Sequence, residues 1–250
     1  MSRIFVQIDL KQAESRFVAY DSCDENLIGA LEDTARDIHS EVAAEIFQCA
    51  VEQVRTEHKS GNSTKRQLGK KSGHGANYSM KETTFMDSCL KEMNLVLTRK
   101  EATNVLEAYH RLFPGIRRWH KRIRDEVARA RRLENPLGRV RYFYGRMDDN
   151  TFREAYAYRP QSTIPDVTNH LMLHLWNART EGAADFWFHN QVHDSLQLSV
   201  TAETEVERIA RICFNTALWH PEIVLPAGRL VIPTSLEFGP GLGELKEYAA

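Results

Sequence analysis

Cysteine is scarce and scattered. Cys23, Cys49, Cys89 and Cys213 show no CxxC or Cys/His zinc spacing, which argues against a disulfide scaffold or zinc ribbon and makes a reduced cytosolic protein the simplest reading. Long hydrophobic runs are missing as well. No stretch approaches the roughly 18 apolar residues of a membrane span, and no basic region followed by an apolar core opens the chain, so neither insertion nor export is expected. Charge of one sign is also lacking. The formal net charge is −1 over 250 residues, so overall charge neither demands nor excludes a nucleic-acid partner. The sequence has no internal repeat and no low-complexity linker.

A hydrophobic content of 42% is enough for a substantial core, and the charge is unevenly spread. From Arg111 to Arg141 there are eleven Lys or Arg against three acids, Asp125, Glu126 and Glu134. This segment is a candidate phosphate-binding surface, although a solvated face is the commoner reading of any charge run. Residues 1–50 carry ten acids against four bases, which suits a segment that holds cations or keeps the surface soluble.

Ile4, Val6 and Ile8 share one face of a strand over residues 3–10 that ends beside Asp9. A helical pattern covers about Glu25 to His58, with Thr34 or Asp37 as caps. A turn at 59–64 precedes a helix over Lys65 to Tyr78 in spite of Gly69, Gly73 and Gly75. Each of these glycines costs about 1 kcal/mol against alanine, so something besides local preference keeps them, and close approach of a ligand is one such reason. Helices are expected at about 80–92 and 99–113, then a strongly basic one from 115 to about 133, then a turn at 135–138 and a short strand. A helix over 165–181 leads to a hairpin of 186–192 and 196–200 joined across His193-Asp194-Ser195. A helix at 204–218 and a strand at 230–237 follow.

Two aspartates, one at a strand end and one at a hairpin turn, can meet when the strands lie side by side, and two-metal phosphoryl transfer needs such a pair of hard oxygen donors. Taken alone, each is more often a turn or cap residue. Arg66, Lys70, His74 and Tyr78 recur every four residues on one helical stripe. Cations with flat rings suit a nucleoside triphosphate. The bland alternative is a solvated basic helix with Tyr78 in the core.

Three separated segments together resemble family A (DNA polymerase I-like) DNA polymerases. Asp9-Leu-Lys-Gln-Ala-Glu-Ser-Arg, continued by Asp37-Ile-His-Ser-Glu-Val-Ala-Ala, is similar to motif A and the helix after it. Arg66-xxx-Lys70-xxx-His74-xxx-Tyr78 resembles motif B, and Gln191-Val-His-Asp-Ser-Leu resembles motif C. Phe113-Pro-Gly-Ile, Pro136-Leu-Gly-Arg and Arg153 through Pro160-Gln-Ser-Thr fall between them in the family's order. The resemblance covers essentially the whole chain.

It implies an α/β (α+β) fold with an antiparallel palm sheet, residues 1–22 and 152–250, and inserted helical fingers, residues 23–151, in an incomplete right hand. Thumb, first palm strands and exonuclease domain are not expected. The implied activity is template-directed transfer of deoxynucleotides to a primer 3′-hydroxyl, a DNA-directed DNA polymerase in the cytoplasm of a bacterial or phage-infected cell. Asp9, Asp194 and the Leu10 carbonyl would hold two magnesium ions, with manganese as a substitute. Gln12, Glu14, His39, Arg66, Lys70, His74 and Tyr78 would meet the dNTP, with Glu14 excluding a ribose 2′-hydroxyl. Arg153, Gln161 and His193 would touch primer-template DNA. A complementing polypeptide carrying the thumb and upstream palm is an implied partner. His74 for Phe or Tyr, Ser195 for the usual acid and Ala157 for asparagine depart from the pattern and resemble phage members. The competing reading is a catalytically silent nucleic-acid-binding remnant.

Overall fold

The computed structural model describes residues 3–249. Strand β1 (Ile4–Leu10) leads through a turn into α1 (Ala13–Ser22), and the contacts then divide the chain into two units. The first holds residues up to Phe17, Asn135–Arg139 and residues from Pro160 onward, and the second holds Val18–Glu134 and Val140–Arg159.

The second unit is almost all helix: α2 (Glu25–Glu32), α3 (Ile38–Phe47), α4 (Val51–Lys59), α5 (Thr64–Asn77), α6 (Glu82–Met93), α7 (Arg99–Leu112) and α8 (Gly115–Ala130). The single helical pattern expected over 25–58 is thus three helices. Asp24 caps α2 by accepting from the Leu27 amide at 2.9 Å, and Asp37, not Thr34, caps α3 through the His39 and Ser40 amides. Each cap satisfies amides that a continuous helix would have bonded internally, so each favours a fresh start. Thr98 and Glu101 form a capping box at the head of α7. Trp119, Ile116, Ile123 and Val127 put one side of α8 into a core with Phe113, Tyr109 and Leu27.

The glycines of α5 are kept by packing. A Cβ on Gly69 would collide with the His39 carbonyl oxygen and sit 3.0 Å from the Ala43 amide nitrogen, while one on Gly73 would press on the Tyr109 ring at 3.1 Å. Helices α3 and α5 therefore approach backbone to backbone, and the ligand explanation is not needed. Gly69→Ala is expected to destabilise this unit by about 2–3 kcal/mol through overpacking against immovable backbone. Its thermal midpoint should fall by roughly 5–10 °C, and an unchanged melt would show that α3 and α5 separate freely.

A small hairpin, β2 (Arg132–Glu134) with β3 (Val140–Tyr142), precedes α9 (Asp149–Thr180). Helix α9 starts well before the expected 165, and Pro160 and Pro165 lie inside it. Each proline removes one intrahelical bond, yet Ala155, Tyr156, Val167, Leu171 and Leu175 are buried along its length, and that burial outweighs local propensity.

The first unit is built on a five-stranded antiparallel sheet in the order β4-β5-β1-β8-β9, where β4 is Trp187–Val192, β5 Ser195–Val200, β8 Thr234–Gly239 and β9 Lys246–Glu247. Val6, Ile8 and Leu10 alternate onto one face with Leu196, Leu198 and Val200 on the strand alongside, all at most 1% exposed. Helix α10 (Glu203–Phe214) covers them with Val206, Ile209 and Cys213. It stops at Phe214, and a separate short turn, α11 (Thr216–Trp219), takes up the rest of the helix expected to reach 218. The strand expected over 230–237 is likewise divided. Its start belongs to an extra hairpin, β6 (Ile223–Leu225) with β7 (Gly228–Leu230), and its end is β8. No described helix is long and apolar enough to cross a membrane.

Candidate active site

β1 buries Val6, Ile8 and Leu10, so strict alternation turns Gln7 and Asp9 to its polar face. Gln7 uses that face to accept a hydrogen bond from Gln197 of β5 at 3.2 Å. Asp9 lies opposite Ser195 in register, one residue from Asp194. The Leu10 amide donates to the Asp194 carbonyl at 3.3 Å, and the Lys11 amide to the Pro233 carbonyl at 2.8 Å. Asp9 on β1 and Asp194 in the β4–β5 turn, 185 residues apart in sequence, thus sit at one end of the sheet, both half-buried.

The turn that delivers Asp194 has only two residues, since Val192 pairs with Ser195. His193 takes φ +54° to close it, a region glycine favours and where a larger side chain costs about 1 kcal/mol or more. Its ring is exposed beside Asp194. The Ser195 hydroxyl donates to the Val192 carbonyl at 3.0 Å and so tightens the same hairpin. Directly after Asp194 the chain thus has a turn-closing hydroxyl in place of a third carboxylate.

Gln12, at φ +51°, ends the turn after β1 and accepts from the Arg16 amide at 3.0 Å. Glu14 follows in the first turn of α1, where a carboxylate suits the helix dipole. Gln161 is exposed on α9 in the same unit. Among the described residues no group of three or more His, Cys, Asp or Glu is placed to hold a metal ion. Asp9, Asp194 and the Leu10 carbonyl are hard oxygen donors, of the chemistry that would suit a divalent cation completed by ligands from outside the protein.

The other expected residues lie in the helical unit. Asp37 does two things at once. It caps α3, and it takes Arg66 of α5 in a two-pronged pair, Nε to Oδ2 at 2.7 Å and an Nη to Oδ1 at 3.2 Å. Burial pushes the Asp37 carboxyl up, but hydrogen bonds from Arg66 and Ser40 outweigh it and hold the pKa at about 2. His39, two residues on, is held at about 4 by burial and by the neighbouring positive charges of Arg66 and Lys70, against the pull of Asp37. The structure therefore brings His39, Arg66 and Lys70 together, with a neutral imidazole at physiological pH.

Lys70 and His74 line an open groove of about 670 Å³ with Gln67 and Lys71, and Lys71 is tied to Glu92 at 2.6 Å. The stripe turns inward at its end. Tyr78 is 8% exposed and meets His74 edge-on with ring centroids 5.2 Å apart. The Arg153 guanidinium donates to Asn150 at 3.1 Å at the start of α9. Sequence reasoning took Asp37 as a cap only. Its second role depends on the close contact of α3 and α5, which no local pattern announces.

The family model described as DNA polymerase family A matches residues 1–237. DNA polymerase I of Geobacillus stearothermophilus is 27% identical over 236 residues, 92% of this chain and 24% of that protein. The thermostable DNA polymerase I of Thermus aquaticus is 28% identical over 244 residues, 95% of this chain and 26% of that protein. The Lactococcus lactis DNA polymerase I reaches 30% over 233 residues, 89% of this chain and 24% of that protein. The chain thus spans about a quarter of the length of these curated relatives. Among solved structures, the POL domain of Pol1 from M. smegmatis, in complex with DNA primer-template and dNTP, superposes with a TM-score of 0.74 at 22% identity, covering 95% of this chain and 39% of that one. With the family model matched over nearly its full length and the same mixed fold of antiparallel sheet and helices, this chain belongs to DNA polymerase family A.

Proposed function

We propose that the chain carries the nucleotidyl-transfer centre of a DNA-directed DNA polymerase, with residues 1–22 and 152–250 as palm and 23–151 as fingers. The observation that supports this reading is the placement of Asp9 against the Asp194 turn, with the Leu10 amide 3.3 Å from the Asp194 carbonyl oxygen. Magnesium held by Asp9, Asp194 and the Leu10 carbonyl would activate the primer hydroxyl and neutralise the departing pyrophosphate. Arg66 and Lys70 bind the triphosphate, and Asp37 keeps the Arg66 fork in one orientation until phosphate oxygens compete for it. His39 gives a neutral donor beside those phosphates. Glu14 rejects a ribose 2′-hydroxyl, Gln12 and the His74 ring border the nucleotide, and Tyr78 closes the stripe against the nascent pair. Arg153, Gln161 and His193 hold the primer and template. Because the chain covers a quarter of its relatives' length, segments that grip duplex DNA come from further polypeptide, either covalently joined or as a separate complementing chain.

Primer extension with magnesium and dNTPs, by this chain alone and with a thumb-bearing polypeptide added, tests the reading. Template-dependent extension under at least one of these conditions is expected. In the active form, Arg66→Ala should raise the KM for dNTP by about tenfold to a hundredfold, the worth of a charge-assisted bidentate contact. Equal KM values would remove Arg66 from the nucleotide site.

The Ser195 hydroxyl, bonded into its own hairpin where the family has an acid, favours the second reading, a silent nucleic-acid-binding remnant. Salt-dependent DNA binding without metal-dependent incorporation under either condition would select it.

A further inference from the structure

We propose that the outer face of α8 and the β2–β3 hairpin form a binding path for an unpaired DNA strand, with Tyr142 and Tyr144 as its stacking platform. Most of the basic segment is spoken for. Arg111, Arg117, Arg122, Arg124, Arg139 and Arg141 each pair with a carboxylate. Arg118, Lys121 and Arg129 on α8 and Arg132 on β2 are exposed and make no ion pair with a described residue. They line one open groove of about 700 Å³.

Three acids also border that groove. Glu126 is occupied by Arg159, with oxygens at 2.9 and 3.1 Å from one guanidinium nitrogen. That leaves Asp125 and Glu134 against the four free cations, so the groove keeps a positive excess. Arg118 and Arg129 are eleven residues apart in the sequence, which on a helix is about 16 Å of rise and nearly the same side. A groove of that length and sign suits several phosphates of one backbone.

The hairpin adds what a solvated charge run lacks. Arg132 pairs in register with Tyr142, so both stand on the same face, and Tyr144 follows two residues on. Leu133 and Phe143 face the core at 1% and 4% exposure, whereas Tyr142 is 52% and Tyr144 88% exposed. The two phenol rings lie nearly parallel, 13° apart in plane with centroids 5.8 Å apart. Large aromatic faces left in water beside free cations are what single-strand binders use. Cations follow the backbone, and rings take bases that have no partner to stack on. A cationic stripe alone would accept a duplex equally well, so the rings are the reason for an unpaired strand. The choice of DNA among polyanions rests on the polymerase reading, but the surface does not.

The test is fluorescence anisotropy of a labelled oligothymidine of about 20 nucleotides, bound to the full chain in EDTA without dNTP at several salt concentrations. Tyr142→Ala with Tyr144→Ala should weaken binding by about tenfold to a hundredfold, while Tyr142→Phe with Tyr144→Phe should stay close to wild type. Arg118→Ser, Lys121→Ser and Arg129→Ser together should reduce the log–log salt slope by about two. A blunt duplex should not distinguish the tyrosine variants. If the double alanine variant, shown by circular dichroism to be folded, binds oligothymidine within twofold of wild type, the proposal is overturned whatever the salt slope does. Because neither metal nor nucleotide is present, a chain that fails to extend primers can still pass this test, and an active polymerase can fail it.

Discussion

Changing Asp9 and Asp194 together to asparagine is expected to abolish nucleotide incorporation, a loss of at least about a thousandfold, while leaving the fold intact. Asparagine matches aspartate in shape and keeps one oxygen, but it removes the two negative charges that the proposed magnesium site needs. Metal stabilisation of charge in phosphoryl transfer is worth several kcal/mol, and each 1.36 kcal/mol is a factor of ten in rate. Groups that act as one unit lose their function together, so either single variant should cost nearly as much as both. Stability should move the other way. Two like charges at one end of the sheet, Asp9 on β1 opposite Ser195 and Asp194 in the turn just before it, repel in the absence of a cation, so the double variant should melt no lower than the parent. Primer extension paired with thermal melts in EDTA reads both effects. Incorporation by the double variant at the parent's rate would end the metal assignment, and a collapse in melting temperature would mean the carboxylates serve the fold instead.

Strand β1 and the β4–β5 hairpin were legible because their signal is local. Alternation over Ile4–Leu10 and Leu196–Val200 fixes which face is buried, and a two-residue gap fixes the turn. Local rules misread α9, because they weigh Pro160 and Pro165 one by one and cannot see the burial of Tyr156 or Leu171. The glycines of α5 were noticed as anomalies, but the cause lies on another helix, in the His39 carbonyl. For the same reason the Asp37–Arg66 pair stayed hidden, since its partners are 29 residues apart and meet only because Gly69 lets α3 and α5 touch. The exposed Tyr142–Tyr144 stack is also invisible to composition, because only the register of β2 and β3 decides which aromatic side chains stay outside.

Acid should destabilise the helical unit well before it protonates the carboxylates. His39, His110 and His120 all lie in that unit, and each is held at about 4, with burial the largest cause. Arg66 and Lys70 press the same way on His39, and Asp37 opposes them. Arg117 and His120 press on His110 against Glu107. On His120 the Asn77 carbonyl, 2.7 Å from its Nε2, opposes burial, and Arg117 adds a smaller downward push. Ring contacts hold two of these residues in place, His120 stacked on Tyr156 at 4.3 Å and His110 edge-on to His120 at 6.0 Å. Their folded values lie below the ordinary 6.5, so between about pH 6.5 and 4 the unfolded chain binds more protons than the folded one. Stability is therefore fully present above 6.5, falls through that window and levels off below 4. At pH 5 each ring costs on the order of 2 kcal/mol, so the three together take a large share of a typical 5–15 kcal/mol. Asp37 adds nothing there, because its stabilisation is lost only as pH falls from 3.8 toward 2. Calorimetry from pH 8 to 4.5 should show the helical unit's transition falling by about 10 °C or more, with His110→Phe flattening the slope by about one proton. A transition that stays level down to pH 4.5 would mean that these rings are solvated or already charged in the folded protein.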